Sequence, residues 1–418
     1  MSYNAISQIL RQARQAALDI GCLSSQAKDR ALWKMSRRLV QNTDYILGQN
    51  RKDLDAAQSQ GLSPALIDRL RLSPQRIKEM AVSLAAIKDL PDPAGKAIRK
   101  WRRPNGLRIE KVRVPIGVIL IIYEARPNVT SDCIGLCLKS GNVTILKGGK
   151  EAFYSNRAIF RVLRDAAKDA GLKKQPFYLI PSTKRDAVRW TLQQDEYIDL
   201  VIPRGGEGLI RAVTKISRIP VIKHYKGICA VYVDKDANLK MAQEVCFNAK
   251  VQRPSVCNAM ETLLVHRDVA HRFLPPMIAR LRKADVEIRG CPQSYKICRR
   301  EIKRAKDKDW TTEYLGLTLA ARVVADTRRA IEHINTYGSH HSDAIITNNP
   351  AAAKEFLQRV DSAVVFHNAS TRFSDGYQFG MGAEIGISTD KVHARGPMAL
   401  EELTIYKYRV LGRGQVRK

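Results

Sequence analysis

The feature that most constrains this chain is a recurring unit that begins after residue 114. A strand-length run of uninterrupted apolar residues is followed by a polar turn and then by a helical pattern. Val118-Ile-Leu-Ile-Ile122 is the first run and Val143-Thr-Ile-Leu146 the second, the latter passing through Lys147-Gly-Gly-Lys-Glu-Ala152 into a helix that reaches residue 170. Tyr197-Ile-Asp-Leu-Val-Ile202 is the third, followed by Pro203-Arg-Gly-Gly-Glu-Gly208 and a helix from Leu209, with a further short strand at 219–222. Strands without polar alternation belong in a sheet covered on both faces. Strand, glycine turn and helix in repetition predict a parallel, doubly wound α/β sheet. A second alternation starts after Gly227, with strands at 230–233 and 262–265, a helix at 239–250 between them, and further units to 364–366. The fold class is therefore α/β, with two doubly wound domains.

The flanks differ. Residues 1–95 read as helices, from the spacing of Ile6, Ile9, Ala13 and Ala17 and of Ala31, Met35 and Leu39, until Leu90-Pro-Asp-Pro-Ala-Gly95 breaks the pattern. Residues 101–114 hold two extended runs around Pro104-Asn-Gly106, a strong hairpin signal. A hairpin projecting from a helical region is of a kind that pairs with another subunit. The 403–410 stretch alternates Thr404, Tyr406 and Tyr408 and is expected to pair with that hairpin.

Composition narrows the class of function. At 418 residues the chain has room for two or three domains. Its longest apolar run is strand-sized, far below the roughly 20 residues that span a bilayer. Residues 1–11 lack the order of a signal peptide, and eight cysteines are sparse for so long a chain, so a reducing cytoplasm is expected. Their spacing matches no structural zinc site, and no metal is expected. With 71 Lys plus Arg against 41 Asp plus Glu, the formal net charge is +30, which attracts polyanions such as nucleic acid, anionic membrane or phosphorylated small molecules. The basic residues are scattered, aromatics make up only 6%, and no basic stripe interleaves with them, so a solvated basic surface fits better than a nucleic-acid site.

Three constellations carry chemistry. The turns containing Gly148 and Gly149, and Gly205 and Gly206, follow strands of one sheet and are flanked by basic residues; backbone N–H groups and helix N-termini there favour an anion, and the pair together favours a nucleotide. Neither is a dinucleotide fingerprint or a P-loop. Cys257 lies in a polar segment with Lys250, Arg253 and Pro254, a setting that can favour a thiolate, whereas Cys229 and Cys246 sit in apolar strings and read as core. The late loops Asn368–Gly376 and 379–397 are rich in glycine and carry Arg372 and Arg395, suited to gripping a carboxylate or phosphate. His340 and His341 before Ser342-Asp343 do not make a hydrolase triad, whose members meet in space and not in sequence.

Longer strings carry a resemblance. Tyr123-Glu-Ala-Arg-Pro-Asn-Val-Thr130, Ile145-Leu-Lys-Gly-Gly-Lys-Glu-Ala152, Gln252-Arg-Pro-Ser-Val-Cys-Asn258 and Phe379-Gly-Met-Gly-Ala-Glu-Ile-Gly-Ile-Ser388 resemble the gamma-glutamyl phosphate reductases, or glutamate-5-semialdehyde dehydrogenases, of the aldehyde dehydrogenase superfamily. Glu332-His-Ile-Asn-Thr-Tyr-Gly338, His393-Ala-Arg-Gly-Pro-Met398 and Glu401-Glu-Leu-Thr404 extend the likeness over nearly the whole chain. The resemblance implies an aldehyde dehydrogenase-like fold with an NADP-binding domain (1–97 and 114–227, with part of 367–400), a catalytic domain (228–366) and an oligomerisation element (98–113 and 401–418). It implies NADPH-dependent reduction of L-glutamyl 5-phosphate to L-glutamate 5-semialdehyde with release of phosphate, the second step of proline biosynthesis. Cys257 would form a thioester, Asn128 would join the oxyanion hole, and Arg253, Arg372 and Arg395 would hold substrate. Lys147 with Gly148, Gly149, Gly205 and Gly206 would bind NADP(H), and Glu313 would hold the nicotinamide ribose. A homo-oligomer and a transient contact with glutamate 5-kinase are implied partners.

Hydrolytic aldehyde dehydrogenases carry a water-activating glutamate in a Glu-Leu-Gly-Gly string; the corresponding Lys223-His-Tyr-Lys-Gly-Ile228 has no carboxylate, so phosphate, welcomed by Lys226, is the expected partner of the acyl enzyme. Against the family pattern His-Leu-Asp-Gly-Ile-Cys-His, this chain has Tyr225, Lys226 and Ala230 at the varied positions, and Gly316 where Asp is usual. Reduction of another acyl phosphate or aldehyde stays open, because pocket residues decide specificity.

Overall fold

The computed structural model describes residues 3–223, 225–299 and 301–417; His224 of the 223–228 stretch and Lys418 of the expected C-terminal element lie outside the described residues. The chain divides into two compact units. The first is Met1–Lys223, Gly380–Gly386 and Met398–Lys418; the second is His224–Phe379 and Ile387–Pro397.

In the first unit the expected helices form. Helix Tyr3–Gly21 buries Ile6, Leu10, Ala13, Ala16 and Ile20, so its apolar stripe turns slightly from the expected one and leaves Ile9 and Ala17 half-buried. Ser24 and Ser73 cap helices Ser25–Gln41 and Pro74–Asp89 by accepting from Ala27 N and Arg76 N. These two helices pack on each other, and the first also packs on Phe153–Asp169. The sheet is four-stranded and parallel, in the spatial order Phe177–Leu179, Val143–Gly148, Val118–Tyr123, Leu200–Arg204. From the central Val118–Tyr123, buried along its whole length, the chain winds outward on one side and then crosses to Leu200–Arg204 on the other. Ligands of open α/β sheets bind outside the carboxyl ends of strands at such a reversal. The segment from Glu124 to Asn128, the turn Gly148-Gly149 and the turn Gly205-Gly206 all leave from those ends. Residues 219–222, expected as a strand, make only a single bridge from Val221 to Val201, because Pro220 contributes its carbonyl to Val201 N but has no N–H to extend the ladder.

The hairpin forms between Ala97–Arg102 and Arg108–Pro115, with Gly106 at φ 89° in its turn. Thr404–Leu411 adds to it antiparallel, from Thr404 opposite Pro115 to Leu411 opposite Arg108. Ile98, Ile405, Tyr406, Tyr408, Val410 and Leu411 of this three-stranded sheet are exposed.

The second unit holds a seven-stranded parallel sheet in the order Lys303–Arg304, Glu287–Gly290, Thr318–Val324, Met260–His266, Cys229–Val233, Ser342–Ile346, Val364–His367. Alternation along the strands feeds two cores: Val231 and Leu263 pack with Phe273 and Met277 on one face, Tyr232 and Leu264 with Ile331 and Phe356 on the other. No helix among the described residues is long and apolar enough to cross a membrane.

Candidate active site

Cys257 lies in the loop between helix Leu239–Val251 and strand Met260–His266, before the amino end of the strand. Of the eight cysteines six are buried, Cys22 is exposed and Cys257 is half-buried, so Cys257 alone among the loop and core thiols combines shelter with access. Two neighbours fix its backbone. Cys229, expected as core and indeed buried, donates from Sγ to the Cys257 carbonyl at 3.2 Å; burial pushes the Cys229 thiol far up, so it stays protonated and able to donate. Gly227 lies so close that a Cβ on it would stand 2.5 Å from Cys257 Cα and carbonyl carbon. Gly227 N in turn donates to Glu313 Oε1 at 2.8 Å.

The next residue, Asn258, joins this loop to the late one. Its amide donates to the Ser374 carbonyl at 2.9 Å, and its own carbonyl accepts from Thr371 Oγ1 at 2.8 Å. Its Oδ1 accepts from the Arg372 guanidinium, whose Nε donates to Gln252 Oε1 at 2.9 Å. Arg372 is thus held half-buried beside the cysteine loop. Burial first and the charge of Arg253 second push its pKa down, while Cys257 and Asp375 act in the opposite direction. A half-buried guanidinium with a second, exposed one close enough to disfavour its charge favours an anion beside them. Arg395 takes a different place in the same unit: it donates to Asp361 Oδ1 at 2.8 Å, and Lys391 holds the other carboxylate oxygen at 2.7 Å.

Lys250, expected as a cation available to the thiolate, is instead fully buried and paired with Glu261 at 2.6 Å. Sequence reasoning passed over Glu261, although a carboxylate inside the apolar string Met260–His266 was a readable signal. Gly227 and Asn258 were also passed over; nothing local distinguishes a glycine that must admit a neighbouring backbone from one in an ordinary turn. Lys226, in the stretch without a carboxylate, donates to the Thr311 carbonyl at 3.4 Å.

In the first unit, the carboxyl edge of the sheet offers an anion cradle. Gly206 and Gly208 open helix Glu207–Ile216 with no atom within 4 Å of where a side chain would begin. Gly206 N donates to Glu124 Oε2 at 3.0 Å, so this helix start already binds an anionic oxygen. Lys147, next to last in strand Val143–Gly148, places Nζ on the Gly148 carbonyl at 2.8 Å, and burial lowers its pKa. Gly206, Gly208 and the position at the carboxyl edge of the sheet suit an anionic group at the helix start, whereas Gly148, Gly149 and Gly205, expected as open turns, are crowded by the side chains of Asn156, Glu151 and Glu124. Asn128 begins helix Asn128–Lys139, is exposed, and donates to Asp132 Oδ2 at 3.1 Å.

Comparison with known proteins gives the class. Residues 3–292 match the aldehyde dehydrogenase family, and the chain belongs to that family. Within it the relatives are gamma-glutamyl phosphate reductases: that of Nautilia profundicola is 52% identical over 99% of this chain and 100% of its own, and that of Moorella thermoacetica 53% identical over 98% and 97%. The crystal structure of the Thermotoga maritima gamma-glutamyl phosphate reductase is 45% identical, superposes with a TM-score of 0.96, and covers 98% of this chain and 99% of that one. The chain is thus an oxidoreductase of the gamma-glutamyl phosphate reductase branch.

Proposed function

We propose that this enzyme reduces L-glutamyl 5-phosphate to L-glutamate 5-semialdehyde with NADPH, releasing phosphate, in proline biosynthesis, by way of a thioester on Cys257. The observation that carries the reading is the pairing of a sheltered, accessible thiol with Arg253 and Arg372 in one loop cluster. A phosphate leaving group needs cations beside the nucleophile, and this cluster supplies two.

Cys257 Sγ, as thiolate, attacks the acyl carbon; the C–O bond to phosphate breaks, and the departing dianion is taken by Arg372 and Arg253. Arg372 is pre-oriented by Asn258 and Gln252, so little side-chain entropy remains to be lost when it binds phosphate. The nicotinamide dinucleotide, when bound, supplies the hydride. The oxyanion that develops on the former carbonyl is stabilised by the Cys257 backbone N–H, such a donor being worth about 10²–10³ in rate. Collapse of the thiohemiacetal re-forms the carbonyl as aldehyde and expels the Cys257 thiolate. In the first unit Lys147, Gly148, Gly149, Gly205 and Gly206 would hold the dinucleotide, and in the second unit Glu313 would hold its nicotinamide ribose. The Lys223–Ile228 stretch contributes no carboxylate base, so the thioester awaits phosphate in the reverse direction. The exposed apolar residues of the three-stranded sheet, Ile405 and Tyr408 among them, support assembly into a homo-oligomer through that element.

In the oxidative direction the enzyme is expected to convert glutamate 5-semialdehyde only when phosphate and NADP⁺ are both present. Cys257→Ala should abolish turnover and leave the thermal unfolding profile intact. Turnover retained by that variant, or an acyl adduct mapped by peptide mass analysis to another side chain, would refute the mechanism.

A further inference from the structure

Among the ion pairs that the reaction as derived does not use, one lies at the two ends of the Cys257 loop. Lys250 Nζ and Glu261 Oε2 are 2.6 Å apart and both side chains are fully buried. A buried ion pair is poor value as a source of stability, because desolvating both ions costs about as much as their attraction returns, and apolar residues of similar volume do as well or better. Burial acts on this pair as expected, pushing the Glu261 carboxyl up.

What the pair holds is specific. Lys250 lies in the last turn of helix Leu239–Val251 and Glu261 is the second residue of strand Met260–His266, so together they clamp the two ends of the loop that presents Cys257. The other oxygen, Glu261 Oε1, accepts from Leu315 N at 3.0 Å. Leu315 is one of five non-glycine residues with positive φ among the described residues, at 53°, and it stands two residues after Glu313. Glu313 accepts from Gly227 N, and Gly227 lies against the Cys257 backbone. The contacts form a closed ring: Lys250, Glu261, Leu315 with Glu313, Gly227, Cys257.

We propose that Glu261, with Lys250, is a positioning residue: one buried carboxylate fixes the nucleophile's loop with one oxygen and the Glu313 loop with the other, setting the two at a constant separation. The inference rests on Cys257 being the nucleophile and Glu313 a cofactor ligand, as read above. It separates two effects that a purely structural pair would not. Glu261→Gln keeps an oxygen for Leu315 N but loses the ionic clamp on Lys250, so kcat and the rate of Cys257 alkylation by iodoacetamide should fall while KM for the dinucleotide stays near that of the parent. Lys250→Met/Glu261→Met buries no charge, so it should fold and melt close to the parent. It releases both loops, however, and its kcat should fall about 100-fold, the typical cost of displacing a reacting group by about 1 Å, with KM for the dinucleotide raised as well.

A double variant with parental melting temperature, kcat, dinucleotide KM and alkylation rate would overturn the inference. Failure of the underlying reading looks different: in the parent enzyme, iodoacetamide would then leave Cys257 unmodified, or modify it without loss of turnover.

Discussion

Gly227→Ala tests how closely the Cys257 loop is set. No strained backbone angle reserves position 227 for glycine, so alanine is conformationally allowed and the effect is steric alone. The added methyl would stand 2.5 Å from Cys257 Cα and carbonyl carbon and nearer still to the oxygen, where real Cβ contacts do not fall below 3.0 Å. The obstructing atoms are backbone, not the movable tip of a side chain. Relief needs a retreat of about 0.5 Å from the carbons and about 1 Å from the oxygen, either by the Cys257 loop or by Gly227, which would stretch its 2.8 Å bond to Glu313. A misplacement of about 1 Å at the reacting atom costs about 100-fold in rate, or about 2.7 kcal/mol of barrier. Overpacking of this kind costs about 1–3 kcal/mol in stability, so the protein should remain folded. The assay is steady-state oxidation of glutamate 5-semialdehyde with phosphate and NADP⁺, run beside iodoacetamide labelling of Cys257 and a urea melt. A variant within threefold of the parent in kcat/KM and unchanged in labelling would refute the account of Cys257 as a backbone-locked nucleophile.

Three other perturbations probe separate parts. Arg372→Met should raise KM for phosphate about 10- to 150-fold in the oxidative assay, the value of a charge-assisted hydrogen bond of about 1.5–3 kcal/mol; an unchanged KM would remove Arg372 from the phosphate site. Lys28→Met breaks a buried ion pair with Asp92, 2.9 Å apart, and should lower the unfolding free energy in urea by about 3–5 kcal/mol, a loss below 1 kcal/mol contradicting the burial argument. His333, whose pKa burial first and Arg322 second lower to about 3, is neutral in the fold and takes up a proton on unfolding below pH 6.5. The unfolded state then binds more protons, so the stability of the parent relative to His333→Gln should fall by about 1.4 kcal/mol per pH unit as pH drops from 6 to 4; a pH-independent difference would refute the assignment.

Where the sequence was legible, it was legible for local reasons. Val118–Tyr123 and Cys229–Val233 are apolar throughout because both faces of their sheets are covered, and that signature needs no knowledge of the rest of the chain. Asn105-Gly106 specified its own turn, and the β-branched and aromatic residues of 404–411 specified a strand, although only Thr404 of it is buried. What escaped depended on distant partners. The bond from Arg395 to Asp361 spans 34 positions, and that from Arg372 to Asn258 spans 114, so no window of sequence could tell which arginine would stand by the cysteine. The family likeness brought Cys257 forward out of eight candidates, yet the reason that this thiol is held as it is, a glycine admitting its backbone and a carboxylate clamping its loop, became visible only in three dimensions.

The three-stranded sheet has a consequence for biosynthesis. Its middle strand, Arg108–Pro115, waits for a mate that begins 289 positions later, at Thr404. At about 5–20 residues per second of translation, that flank stays without its neighbour for about 15–60 s on the ribosome. Arg108, Lys111 and Arg113 along the waiting strand place cations where a stray β-segment from another nascent chain would otherwise add, a common safeguard for unpaired edges. The last strand to emerge thus acts as a latch, and growth conditions that slow elongation lengthen the interval in which those cations are the strand's protection.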